Sequence, residues 1–232
     1  MKNILCLIPA RKGSKGVKNK NFLNVNGKMI IQYTIDSAKK IKKYCDIVIS
    51  SDSKKIIEIC KLNNLNFHGL RPKKLSGDKA QTIDVVNYEL KKIEKKYKKK
   101  YKFILILQPT CPFRNLKDLK LAIKKISSKK YDSVVSVKDV NDYHPLRMKI
   151  IKKSYLVNYT NMKRENFVPR QYLPKIYIRS GSIYLLKRDV LLKHKSLVGN
   201  KCFGLVLDGK HALNIDTKSD LIYFKETVGK FK

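Results

Sequence analysis

Between Ile8 and Asn21 the chain reads IPARKGSKGVKNKN, a stretch that combines backbone freedom with fixed positive charge. Gly13 and Gly16 allow backbone conformations closed to other residues and let amide hydrogens approach an anion. Around them stand Arg11, Lys12, Lys15, Lys18 and Lys20, with Ala10 and Ser14 completing the loop and Asn21 closing it. The chemistry this suits is the grip of a triphosphate, in which each charge-assisted hydrogen bond contributes about 1.5–3 kcal/mol. The segment lacks the Gly-Lys-Ser/Thr of a Walker A loop and the three-glycine dinucleotide fingerprint, so it is neither of those phosphate-binding motifs. A flexible basic surface turn is the plain alternative.

Such a loop needs a strand to deliver it. Short β-branched runs at Asn3 to Pro9, Asp46 to Ser50, Phe103 to Leu107, Ser133 to Lys138 and Ser182 to Leu186 read as strands. Helical periodicity fills the intervals at Ile30 to Lys43, Ser53 to Leu62, Ala80 to Tyr97, Leu116 to Ile126 and Thr217 to Val228. This alternation predicts an α/β fold with a mostly parallel sheet and helices on both faces. In such sheets ligands bind beyond the carboxyl ends of the strands, where the basic loop falls. From about Asp139 to Ile178 prolines, tyrosines and a hairpin near Met148 to Tyr159 break the pattern, which predicts an excursion embedded in one domain spanning residues 1–232.

Composition limits the function classes. With 53 Lys plus Arg against 18 Asp plus Glu, the 232-residue chain carries a formal charge of +35, which favours anionic ligands or lysine used as surface filler. Eight lysines between Lys91 and Lys102 lack an accompanying RNA-binding motif and read as a solvated helix end, so nucleic acid is not the expected partner. Cys6, Cys45, Cys60, Cys111 and Cys202 form no close pair, which fits a reducing cytoplasm. The apolar run Ile4 to Ile8 is too short for a signal core or a membrane span, and no membrane partner is expected. His68, His194 and His211 have no ligand spacing, and His144 before Pro145 reads as structural.

The basic loop, together with ISSD (49–52), LRPKKLSGDKAQT (70–82), LILQPTCPFR (105–114), YHPLR (143–147), VPRQYLP (168–174), RSGSIYL (179–185) and ALNIDTKSDL (212–221), resembles the acylneuraminate cytidylyltransferase family in the same order along nearly the whole chain. The resemblance implies a Rossmann-like fold of the nucleotide-diphospho-sugar transferase type. It also implies attack by the anomeric hydroxyl of an acidic nine-carbon sugar on the α-phosphate of CTP, with magnesium or manganese as cofactor and a homodimer as the working form.

By the same resemblance Arg11, Lys15 and Lys20 hold the triphosphate, Asn21 helps hold the nucleotide, and Arg71, Ala80 and Thr82 read the cytosine. Gln108, Ser180, Gly181, Tyr184 and Phe203 line the sugar pocket, while Arg147 and Arg170 reach across the dimer to the sugar carboxylate. Tyr184 and Phe203 read equally well as plain core. Arg114 is expected to close a turn or pair with Asp118, and Asp52 to cap a helix. The family's Asp-Ile-Asp metal motif is Asn214-Ile215-Asp216 here, which leaves Asp216 as the one carboxylate and Asn214 as a neutral oxygen ligand. Ser180 stands where relatives often carry Asn. Another sugar or nucleotide on the same scaffold, or a basic RNA-binding protein that has lost catalysis, are the rival readings.

Overall fold

A computed structural model describes residues 2–14, 16–140, 143–160 and 169–229. Ten strands are present in these segments: β1 Ile4–Pro9, β2 Asn24–Val25, β3 Lys28–Met29, β4 Cys45–Ser50, β5 Phe103–Ile106, β6 Ser133–Asp139, β7 Lys149–Lys152, β8 Tyr155–Asn158, β9 Tyr177–Lys187 and β10 Cys202–Val206. Six α-helices accompany them: α1 Ile30–Lys39, α2 Lys55–Leu62, α3 Thr82–Tyr97, α4 Leu116–Ser127, α5 Arg188–Leu192 and α6 Lys218–Gly229.

The main sheet has the order β10-β6-β9-β5-β1-β4. All neighbouring pairs are parallel except those made by β9, which runs antiparallel to both β5 and β6. The expected α/β, mostly parallel architecture is therefore the observed one, with one reversed strand at its centre.

Strand alternation builds two cores. Ile4, Cys6 and Ile8 of β1 and Leu105 of β5 face Ile31 and Ile35 of α1, Ile59 of α2 and Ala122 of α4. Leu5, Leu7, Ile104 and Ile106 point the other way, onto Val86, Leu90 and Ile93 of α3 and Leu191 of α5. A period of two along each strand thus places helices on both faces. A third cluster, Val25, Ile30, Ile215 and Phe224, docks α6 beside the start of α1.

The ends of several elements differ from the sequence expectation. The first helix stops at Lys39 because Ile41 and Lys42 donate to Ala38 and Lys39, i to i+3 bonds that tighten the last turn before β4. The reversed strand β9 is longer than expected and bulged. Val135 pairs with Tyr184 but Val137 pairs with Arg179, so residues 180–183 arch out opposite Ser136. Within the excursion, β7 and β8 form the expected hairpin as a separate two-stranded sheet. Ile151, Tyr155 and Leu156 on it are 76%, 76% and 68% exposed, an apolar surface left uncovered by the described residues. No helix of the described residues is long and apolar enough to cross a membrane.

Candidate active site

The carboxyl ends of β1 and β5, the start of α3 and the segment before α6 enclose a cleft of about 570 Å³. Its wall brings together Arg11, Gly13, Ser14, Gly16, Lys20, Asn21, Arg71, Ala80, Thr82, Gln108, Asn214 and Asp216. Residues separated by nearly the full chain length meet here. A larger cavity of about 700 Å³ opens at the other end of the sheet, but its Lys2 and Lys99 are engaged by Asp46 and its Lys39 by Asn63.

The basic loop is braced from within. Ser14 Oγ donates to the Val17 carbonyl and accepts from the Lys20 amide at 3.2 Å. Asn21, 5% exposed, donates to the Arg11 carbonyl at 3.0 Å. Its Oδ1 is buried with no partner among the described residues. Lys12 N donates to Asp52 Oδ1 at 2.8 Å, which ties the loop to the end of β4. Asp52 is thus a loop brace and not the helix cap expected of it, since no side chain caps α2. The signal was present in ISSD, an acid directly after a strand at the ligand end of the sheet. Ala10 is fully buried with its amide bonded to Ser50, so it supports the loop from below. Lys15 lies outside the described residues.

Lys20 closes the far side. Its ammonium donates to the Ile215 carbonyl and to Asp216 Oδ1, both at 2.7 Å. A Cβ built on Gly16 would run into the carbonyl oxygen of Asp216, so only glycine permits this approach. The Asp216 side chain is 60% exposed, and Asn214 Nδ2 donates to its other oxygen. Asp220 accepts from the amides of Asp216 and Thr217 at 3.0 and 2.7 Å, which fixes the segment at the start of α6.

On the opposite wall Arg71 is 5% exposed and donates to Ser76 at 3.2 Å, with Asp52 4.0 Å away. Burial, reinforced by Arg11, pulls its pKa below the ordinary guanidinium value against the pull of Asp52 and Glu89. Arg11 itself pairs with Asp78 at 2.8 Å. Arg71, Ala80 and Thr82 lie together beside the first turn of α3, whose unsatisfied amides favour negative charge.

The expected sugar residues divide. Gln108 follows β5 on the cleft wall, and its carboxamide makes no side-chain hydrogen bond among the described residues. Gly181, at φ +81°, sits so close that an added Cβ would stand 3.0 Å from Gln108 Oε1. Ser180 does not face the cleft. It is 3% exposed and donates to Ser136 Oγ at 2.7 Å, because the bulge turns its side chain into the sheet. Tyr184 is core, 7% exposed and packed on the α3 face, as strand alternation from Ile183 dictates. Phe203 is a second correction: β10 is an edge strand, and its register with Val134 places Phe203 below the strand ends, against Tyr131 and Lys125. Arg147 is exposed on the excursion, away from the cleft of this chain. Arg170 begins a short 3-10 turn, and its side chain falls outside the description.

Sequence reasoning understated Arg114. Its guanidinium does not pair with Asp118. It donates instead to Thr34 Oγ1 at 2.8 Å, to the Ser182 carbonyl at 3.0 Å and to the carbonyls of Cys111 and Gln108. Burial pushes its pKa down to about 10. His144 spans the Leu146 amide and the Pro174 carbonyl.

A basic, glycine-containing loop opposite a carboxylate, with a buried guanidinium at the head of a helix, suits a nucleoside triphosphate. The comparison with known proteins agrees: residues 5–220 match the family model described as Cytidylyltransferase.

The chain belongs to the cytidylyltransferase family.

Among its relatives, it is 31% identical over 220 residues to the CMP-N,N'-diacetyllegionaminic acid synthase of Campylobacter jejuni, with 95% of this chain and 92% of that protein covered. It is also 31% identical over 221 residues to the N-acylneuraminate cytidylyltransferase of Streptococcus agalactiae; 94% of this chain is covered, but the chain spans about half (52%) of that relative's length. The fold matches that of a CMP:2-keto-3-deoxy-manno-octonic acid synthetase solved with CTP, at a TM-score of 0.69 and 15% identity with all of both chains covered. As a cytidylyltransferase-family chain, it is a nucleotidyltransferase by descent.

Proposed function

We propose that this chain is a CTP:nonulosonate cytidylyltransferase that makes a CMP-sugar and pyrophosphate from CTP and a sialic, legionaminic or related acid. The observation that carries the reading is the Lys20–Asp216 contact across a cleft whose other wall holds Arg71 at the start of α3. The cationic loop grips the triphosphate, Arg71 and the Ala80–Thr82 segment read the base, and Gln108 meets the sugar. The anomeric hydroxyl attacks the α-phosphorus, its proton passes to solvent, and the bond to the β-phosphate breaks to release pyrophosphate. Lys20 and Arg11 neutralise charge that grows on the phosphates, a contribution of fixed positioning more than of covalent chemistry.

No group of three or more His, Cys, Asp or Glu side chains able to hold a metal occurs among the described residues. One exposed carboxylate beside the triphosphate loop fits magnesium or manganese, which accept one or two protein oxygens and complete their shell with phosphates and water. Asp216 would be the ligand, with Asn214 beside it, and the ion would supply charge neutralisation at the phosphates. As placed, Asn214 turns its amide nitrogen to Asp216 and its oxygen to the Cys111 thiol at 3.6 Å, so its part is to orient Asp216.

The reading takes residues 1–232 as one catalytic unit whose excursion at about 139–178 pairs with a second copy. Its support is the exposed Ile151, Tyr155 and Leu156. Pairing would also bring Arg147 and Arg170 to the sugar carboxylate of the other copy, where a planar guanidinium suits it. Five free cysteines support a cytoplasmic setting.

The test is incubation with each nucleoside triphosphate, magnesium and a panel of nonulosonic acids, reading pyrophosphate release. Turnover with CTP and one such acid is expected. Turnover with GTP and none with CTP would overturn the assignment of the base.

A further inference from the structure

The wall that holds Gln108 is itself held by a buried polar knot behind the cleft. Ser136, on β6, is fully buried and stands opposite the arch of β9. Its hydroxyl accepts from Ser180 Oγ and from the Ile183 amide, each at 2.7 Å, and donates to the Ile183 carbonyl at 3.2 Å. One side chain therefore clamps both feet of the arch. Ser180 Oγ also accepts from the Ser182 amide at 3.3 Å, so the hydroxyl pair sets the curvature between the feet.

At the apex is Gly181, whose positive φ and lack of a side chain let the arch come close to Gln108, since an added Cβ would stand 3.0 Å from its Oε1. Arg114 joins the two layers from the other side, bonding the Ser182 carbonyl of the arch and the Gln108 carbonyl of the strand end. Cys111 Sγ adds a contact to the Ser180 carbonyl at 3.5 Å. The Gln108 side chain has no hydrogen bond of its own among the described residues, and the arch at Gly181 stands next to its carboxamide.

We propose that Ser136 is a positioning residue for sugar recognition: by clamping the β9 arch it sets Gly181, and through Gly181 the direction in which Gln108 presents its carboxamide. The proposal rests on the CTP:sugar-acid reading above. It predicts that Ser136 governs the sugar end of the reaction and not the nucleotide end, because Arg11, Lys20, Arg71 and Asp216 are carried by other elements. It also reassigns Ser180 from sugar contact to arch clamp.

Ser136→Ala removes the clamp and leaves a small polar gap. The KM for the sugar acid should rise about tenfold, since small misplacements of a positioning group are costly, while the KM for CTP stays within about twofold. In a Gln108→Ala background the same substitution should add no further loss, because Ser136 acts through Gln108. Equal rises in both KM values, or independent losses in the double variant, would overturn the proposal. Ser180→Ala removes one arm of the clamp and should move the sugar KM in the same direction by less; it serves if Ser136→Ala does not fold.

A readout without substrate separates this inference from the functional reading. The Gln108 side-chain amide signals in a ¹H–¹⁵N spectrum should move in Ser136→Ala as the arch beside them relaxes, and unmoved signals would sink the positioning role. Absence of turnover by the unmodified protein with CTP and every sugar acid would overturn the functional reading, and the amide spectrum would still decide the clamp.

Discussion

The Lys20 ammonium lies 2.7 Å from a carboxylate oxygen of Asp216, which joins the basic loop near the N-terminus to the segment that opens the last helix. The pair is partly open to solvent, so it adds little stability; what it does is hold a cation and a carboxylate side by side on the cleft wall. Asp216→Ala should lower turnover by about 10²–10³-fold with the melting temperature little changed, measured by pyrophosphate release and thermal melts. Near-normal turnover would place the metal ligand elsewhere.

Gly16→Ala tests the contact beside that pair. The new methyl must displace the Asp216 carbonyl, so the loop and the α6 segment move apart. Overpacking of this kind costs about 1–3 kcal/mol, and turnover should fall with it. Gly13→Ala is the control, since nothing lies within 4 Å of its position. Equal effects of the two would show that loop flexibility, not the close approach, is what the glycines provide.

Asn214→Asp sets two carboxylates side by side. Without metal their repulsion should lower the melting temperature, and with magnesium it should be restored, because a divalent ion relieves the like charges. The magnesium concentration for half-maximal activity should drop about tenfold. An unchanged magnesium titration would mean that position 214 has no part in ion binding.

His68 offers a pH test away from the cleft. Burial, then Lys96 and Lys92, lower its pKa to about 4, from an ordinary value of 6.5. Between these values the unfolded chain binds the proton and the folded chain does not, so stability falls as pH drops from 6.5 toward 4. His68→Gln should flatten this part of the curve in thermal melts across that range. An identical slope would assign acid sensitivity to other groups.

Ile151→Glu with Leu156→Glu should hold the chain as a monomer in size-exclusion chromatography with light scattering. If the excursion pairs two copies and completes the sugar site, the KM for the sugar acid rises with dissociation. A doubly substituted chain that remains dimeric would move the interface elsewhere.

The site was legible where chemistry and a strand end coincide in sequence. The Ile8 to Asn21 loop, Arg71, Gln108 and Asp216 each follow or precede a regular element, and the structure gathers them on one cleft. What escaped was set by the third dimension. Arg114, expected to close a turn or pair with Asp118, does close the turn through the Gln108 and Cys111 carbonyls, but it also reaches Thr34 and Ser182, distant partners that the local sequence does not announce. Ser180 looked like a contact because RSGSIYL gives no sign that its strand arches and inverts the side chain. β10, only Cys202–Val206 and interrupted by Gly204, is too short and weakly patterned to stand out, and its edge position took Phe203 out of the pocket.

The eleven residues of β9 cross from one environment to another. Tyr177 to Arg179 are exposed beside the excursion, whereas Ser180 to Leu186 are buried in the sheet. One strand therefore serves two settings: its outer end lies open beside the excursion, and its inner part forms the bend that stands next to Gln108.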